Sequence, residues 1–204
     1  MIGYLHDEQR TSTSFDGNGW LHSDDIASAD EKGKFEINGK DVEQIFTTGG
    51  VCIYPLQLEQ TLLKELPVLS NVLVVGDQRD FLCCIFTLKV NYVENKTLSL
   101  IVKDWCQQIL GSTVKDIDDI FDDNDLPKRP IFNAIQTAIE HVNKTTPNAN
   151  NIKNWILLPT DFSTFGGELN HLQNMKRKGL TQKYMQQIEY MYQKDNDLSA
   201  NGNE

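Results

Sequence analysis

No two of the four cysteines, Cys52, Cys83, Cys84 and Cys106, have the C-x-x-C spacing of a zinc site or a redox disulfide. Cys83 and Cys84 are adjacent inside the apolar run FLCCIFTLKV, where successive strand side chains point to opposite faces and so do not share a partner. They read as plain buried thiols, which implies a reducing compartment. No charged-then-apolar signal segment opens the sequence, and no apolar run approaches the ~20 residues of a membrane span. The sequons at Asn95 and Asn143 then read as accidental. Positive charge is scarce: 19 Lys and Arg face 29 Asp and Glu, a formal net charge of −10 over 204 residues. That balance argues against nucleic acid as a partner and against a general grip on anionic membranes, so any anion site must be local.

What is present is enough for a core, with 39% hydrophobic residues. Residues 1 to about 38 are polar and turn-rich, with Gly17 and Gly19 beside Trp20, and read as irregular structure and small strands. GKFEING alternates Phe35 and Ile37 with polar neighbours, as a short strand does, and a second strand-like run closes at Gly49-Gly50. From Pro55 the period becomes helical: Leu58, Leu62, Leu63 and Leu66 recur on one face until Pro67. SNVLVVGD and FLCCIFTLKV predict a hairpin covered on at least one face, LSLIVKDWCQQIL and RPIFNAIQTAIEHVNK two helices, IKNWILLP a strand, and TQKYMQQIEYMYQ a closing helix with Tyr184, Ile188 and Met191 on one side. The carboxylates of KDIDDIFDDNDLPKR invite a calcium reading. It fails because no glycine stands at the sixth loop position, while Ile117, Ile120 and Phe121 fall at helical intervals. Trp20, Trp105 and Trp155 read as core residues.

The order of motifs from GYLHDEQRTSTSFDGNGWLHSDDIASADEKGKFEINGK onward resembles the adenylate-forming enzymes, at the passage from their large N-terminal domain into the mobile C-terminal lid. Within that group, GGVCIYPLQLEQTLLKELPVLSNVLVVGDQRDFLCCIFTLKV and DFSTFGGELNHLQNMKRKGLTQKY resemble the long-chain fatty acyl-CoA synthetases of the bubblegum type. The resemblance runs from about Ile2 to Gln193. It implies an α+β lid domain, a small mixed sheet with packed helices, over residues 39–194. Before it, residues 1–38 would be a remnant of the large AMP-binding domain, and residues 195–204 a disordered tail. For the family it also implies ATP, magnesium and coenzyme A, with two half-reactions in one site: acyl-adenylate formation, then thioester formation after the lid rotates. A lid lysine stabilises the charge developing at the α-phosphate in the first step.

Carried over residue by residue, the family's HSGD becomes HSDD, with Asp25 at the ribose-binding position and Asp24 in place of the glycine. GRxKEL corresponds to Gly39-Lys40-Asp41-Val42-Glu43-Gln44, which puts Lys40 at the ribose-contacting arginine and Val42 at the hinge. GGEN reads Gly49-Gly50-Val51-Cys52. GELTPTLKLKR aligns with GELNHLQNMKR without a gap, so Asn174 occupies the lid lysine position. An amide donates hydrogen bonds but carries no unit charge, and the loss is expected to cost at least ~10²-fold in adenylation. Lys176 lies two residues along and would have to change side-chain direction to substitute.

Each of these residues also has a plainer reading. Asp25 and Lys40 are ordinary at a turn and a strand end. The Lys176-Arg177-Lys178 run reads as solvated charge before a coenzyme A phosphate clamp. His22, Ser23 and Asp25 lie too close in sequence to converge as a hydrolytic triad. The family's phosphate-cradling loop and acyl tunnel have no counterpart from Met1 onward, so the chain alone is expected to be non-catalytic and to need no cofactor. A fragment of a longer, active ligase and a coenzyme A or acyl-CoA binding module are the alternatives. Self-association or an unknown protein partner is expected through exposed apolar surface in the leading residues. The expected location is the cytoplasm, peripheral to the endoplasmic reticulum by family resemblance.

Overall fold

The computed structural model describes residues 2–91, 97–124, 126–147 and 151–200, the last seven by backbone only. The chain divides into two compact units, residues 1–44 and 45–204.

In the first unit a short helix α1 (Glu8–Ser14) begins at Asp7, whose side chain accepts from the Arg10 amide. The hairpin that follows pairs β1 (Asp25–Ala29) antiparallel with β2 (Phe35–Lys40). Its register slips between Ile26 and Ala27, leaving Asn38 bulged out between the partners Gly39 and Ile37. The Ser28 hydroxyl donates to the Asn38 side-chain oxygen, and Gly39 takes φ 151°. Phe35 and Ile37 are 74% and 59% exposed, and Trp20, expected in a core, is 75% exposed. Trp20 departs from expectation because a two-stranded ribbon has no interior in which to bury an indole.

The second unit is built on a three-stranded mixed sheet. β3 (Ile45–Phe46) and β4 (Cys52–Ile53) form a small antiparallel pair that leads into α2 (Pro55–Glu65). β5 (Leu69–Val75) and β6 (Leu82–Leu88) form the antiparallel hairpin expected from their apolar runs. Beyond the short pair β7 (Val90–Asn91) and β8 (Thr97–Leu98), the helices α3 (Leu100–Leu110) and α4 (Arg129–Thr145) cross over to β9 (Ile152–Leu157), which lies parallel to β6. The order β5-β6-β9 places the strand richest in apolar residues at the centre.

Strand alternation sorts the core into two clusters. Val72, Val74, Leu82, Cys84 and Phe86 pack with α2, α3 and α4 residues such as Leu62, Val102 and Ile135. Leu73, Val75, Cys83 and Ile85 pack with Phe162, Leu180, Tyr184, Ile188 and Met191. The predicted closing helix is two helices, α5 (Arg177–Lys183) and α6 (Met185–Ala200), broken at Tyr184. Cys83 and Cys84 therefore face opposite layers, and burial pushes the Cys84 thiol well up and that of Cys106 to about 11. These thiols are inert packing groups.

The acidic segment is folded on itself. A 3₁₀ turn spans Asp118–Ile120 with Ile120 and Phe121 buried, and the Asp119 carboxylate accepts from the Lys115 amide. Asp116 and Asp122 accept from the amides of Asp118 and of Asn124 and Leu126. Asn143 has its side chain bonded both ways to the Ile152 backbone, at 2.9 Å each, so its amide is not presented for glycosylation. Asn95 lies outside the described residues. The expected tail, 195–204, is described only as the end of α6, to Ala200.

Candidate functional site

The most distinctive local structure is the hairpin that carries Asn174. After β9 the chain turns at Asp161, whose carboxylate gathers donors from both long strands: Ser70 at 2.7 Å, Asn71 at 2.9 Å and Thr87 at 2.6 Å, with the Phe162 amide at 2.8 Å. Residues 163–168 then form a tight loop. The Ser163 carbonyl accepts from the amides of Glu168 and Leu169, and the Ser163 hydroxyl from the Gly166 amide at 2.8 Å. Gly167 adopts φ 83°, and a Cβ on Gly166 would lie 2.2 Å from the Glu168 carboxylate, so the glycine pair lets that carboxylate fold inward.

Leu169 bridges Met175, and the Lys176 amide donates to the Glu168 carbonyl at 2.8 Å. The tip between them is wound around Asn170, whose side-chain oxygen accepts from the amides of Leu172 and Asn174, with Gln173 in the left-handed region at φ 64°. Asn174 is exposed, and its side-chain amide has no hydrogen-bond partner among the described residues.

Both legs of this hairpin are pinned by ion pairs that sequence reasoning missed. Glu168, 6% exposed, pairs with Lys183 of α5 and accepts from the Ser163 amide. Burial pushes the Glu168 carboxyl up, but the Lys183 ammonium and nearby amides outweigh it and hold the group below the usual carboxylate range. Arg177, expected to be solvated, instead turns inward to Glu59 on α2, whose other oxygen accepts from the Val74 amide at 2.9 Å. The signal for Glu59 was visible as a carboxylate on the apolar face that holds Leu58 and Leu62. The partner was not, being 118 residues away.

The remaining predicted residues lie in the first unit. Asp25 and Lys40 are directly opposed in the β1–β2 register, so their side chains share one face of the ribbon. Asp24 has φ 59°, the left-handed conformation that a glycine adopts without strain and aspartate tolerates. Its carbonyl accepts from the Asp41 amide at 2.9 Å, which fixes where the ribbon ends. Val42, 69% exposed, is the middle residue of the 3₁₀ turn Asp41–Glu43. His22 and Ser23 are exposed, and the Ser23 hydroxyl accepts from the Asp25 amide.

Residues 106–196 match the AMP-binding enzyme C-terminal domain. The chain belongs to the AMP-binding enzymes. The lid is 37% identical over 199 residues to the Mus musculus long-chain-fatty-acid–CoA ligase ACSBG2, covering 94% of this chain and 29% of that protein. It is 34% identical over 198 residues to the Homo sapiens ACSBG2, with the same coverages, and 32% identical over 201 residues to the Rattus norvegicus ACSBG1, covering 95% and 27%. The chain thus spans little more than a quarter of the length of these relatives. The fold is shared with the adenylation domain of a carboxylate reductase from Mycobacterium chelonae, at TM-score 0.69 and 14% identity over 93% of this chain and 26% of that one. The Segniliparus rugosus carboxylic acid reductase A domain, solved with AMP and a co-purified carboxylic acid, gives TM-score 0.70 at 13% identity, covering 94% and 26%. No described helix is long and apolar enough to cross a membrane.

Proposed function

We propose that this chain is a lid of the long-chain fatty acyl-CoA ligase type that has lost its adenylating cation and does not activate fatty acids by itself. The observation that carries the reading is Asn174: a neutral, exposed and unpartnered side chain at the outer face of a hairpin pinned on both legs. A rigid hairpin is what a charge-stabilising group needs, because a fixed donor has no reorganisation left to undergo at the transition state. Here the support is kept and the charge is missing. Asp25 and Lys40 keep a carboxylate and a cation opposed on one ribbon face, suited to a ribose, with Val42 at the hinge position. The buried free thiols fit a reducing, cytoplasmic setting.

The test is a chimera of mouse ACSBG2 whose C-terminal quarter is replaced by this chain, assayed by pyrophosphate exchange with a long-chain fatty acid. Exchange is expected to fall by at least ~10²-fold and to recover in N174K. Exchange at the parent rate with Asn174 in place would overturn the reading.

A second reading has an observation of its own. Residues 2–44 include only two buried residues, Asn38 and Gly39, while Phe35, Ile37 and Trp20 are exposed. Such a ribbon is not stable alone. It fits residues 1–38 being the end of a large AMP-binding domain, with the lid over 39–194, and this chain serving as part of a longer ligase that uses ATP, magnesium and coenzyme A. Self-association through the same face would concentrate this chain as a dimer in sedimentation. Coenzyme A binding by the lid would appear as heat in calorimetry at millimolar ligand.

A further inference from the structure

The hairpin alternates strictly past its tip: Asn174 exposed, Met175 half-buried, Lys176 exposed, Arg177 half-buried. Met175 packs against the second core cluster and Arg177 is drawn in to Glu59, so both anchors of this leg point inward. Their neighbours Asn174 and Lys176 therefore leave from the same outer side, about 6.6 Å apart along an extended chain. Sequence alone suggested that Lys176 would need to reverse direction, and the structure removes that objection. The Lys176 backbone is held by the Glu168 carbonyl at 2.8 Å. The other cations nearby are engaged: Arg177 by Glu59 and Lys183 by Glu168. Lys176 has no ion-pair partner among the described residues.

We infer that Lys176 supplies the hairpin's anion contact in place of the charge missing at Asn174, and that its ligand is the polyphosphate of a nucleotide. This rests on the lid reading above for the direction the hairpin faces, but not on the chain being active. A flexible four-carbon stem covers a displacement of one residue pair, and an ammonium needs no planar alignment with a phosphoryl oxygen. Asn174 then adds a neutral amide donor beside it. Lys178, one turn into α5, is exposed but belongs to the helix and not to the outer side of the leg.

The experiment titrates sodium triphosphate into the isotopically labelled full chain at low salt and follows backbone amide shifts by NMR. Shifts are expected to centre on residues 174–177. K176N should weaken binding by about threefold to fivefold, the scale of one exposed charge pair, with K178N leaving it unchanged. The swap N174K/K176N keeps composition and net charge constant and should keep binding at or above the wild-type level. No shift at tens of millimolar triphosphate, or equal weakening by K176N and K178N, would overturn the inference, the latter revealing only diffuse charge. The two readings fail separately. If N174K does not rescue pyrophosphate exchange while K176N still removes triphosphate binding, the lid reading falls and the Lys176 site stands.

Discussion

The Arg177 guanidinium meets the Glu59 carboxylate in the interior, with 14% and 3% of their side chains exposed, and so joins the start of α5 to α2 and, through the Val74 amide, to β5. Removing one member of a buried pair leaves the other charge uncompensated. R177A and E59A are each expected to cost about 3–5 kcal/mol, whereas the neighbouring K178A should stay within about 0.5 kcal/mol. Urea unfolding of the three variants checks this, and an R177A protein as stable as wild type would show that Arg177 is solvated after all.

The second pin is pH-dependent in a defined direction. Glu168 is held below its ordinary 4.5, so its contribution is present above that value and is lost as pH falls through the lower folded value. Lys183 is raised above its ordinary 10.5, chiefly by its hydrogen bond to Glu168, so its contribution is present below 10.5 and is lost as pH rises through the higher folded value. E168Q should therefore be less stable than wild type across the neutral range, with the difference shrinking below pH 4.5 and again above 10.5. Urea midpoints measured across that range test it, and a pH-independent difference would mean that the pair does not act through charge.

The glycine pair makes a contrast. G167A places a β-carbon at φ 83° with nothing within 4 Å, so it should cost only the left-handed backbone term, about 1–2 kcal/mol. G166A must displace the Glu168 carboxylate and with it the Lys183 pair. Its loss should disappear in an E168Q background, which a double-mutant cycle measures.

Asp161 is the hub that sets the chain's course from β9 into the hairpin. D161A strips the buried Thr87 hydroxyl and the Asn71 amide of their acceptor and should cost about 1–3 kcal/mol, with T87V partly offsetting it. Amide exchange in residues 162–170 should accelerate in D161A. N174K, on an exposed tip, should leave stability within about 0.5 kcal/mol, so a functional effect of that change is separable from folding.

The sequence by itself determined the elements whose pattern is local. The leucines from Leu58 to Leu66 make a helix of their own period, and the unbroken apolar runs of β5 and β6 make central strands in any compact arrangement. It also determined ancestry, and the identity of the side chain at Asn174. It did not determine the break at Tyr184 between α5 and α6, or that Trp20 is left exposed, because helical periodicity continues through the break and burial depends on what lies opposite. The inward turn of Arg177 and the outward side shared by Asn174 and Lys176 were decided by tertiary structure alone. Each depends on a partner far away in the chain: Glu59 for the arginine, and the core beneath Met175 for the alternation. No window of sequence contains both members of such a pair, and only folding brings them to the same place.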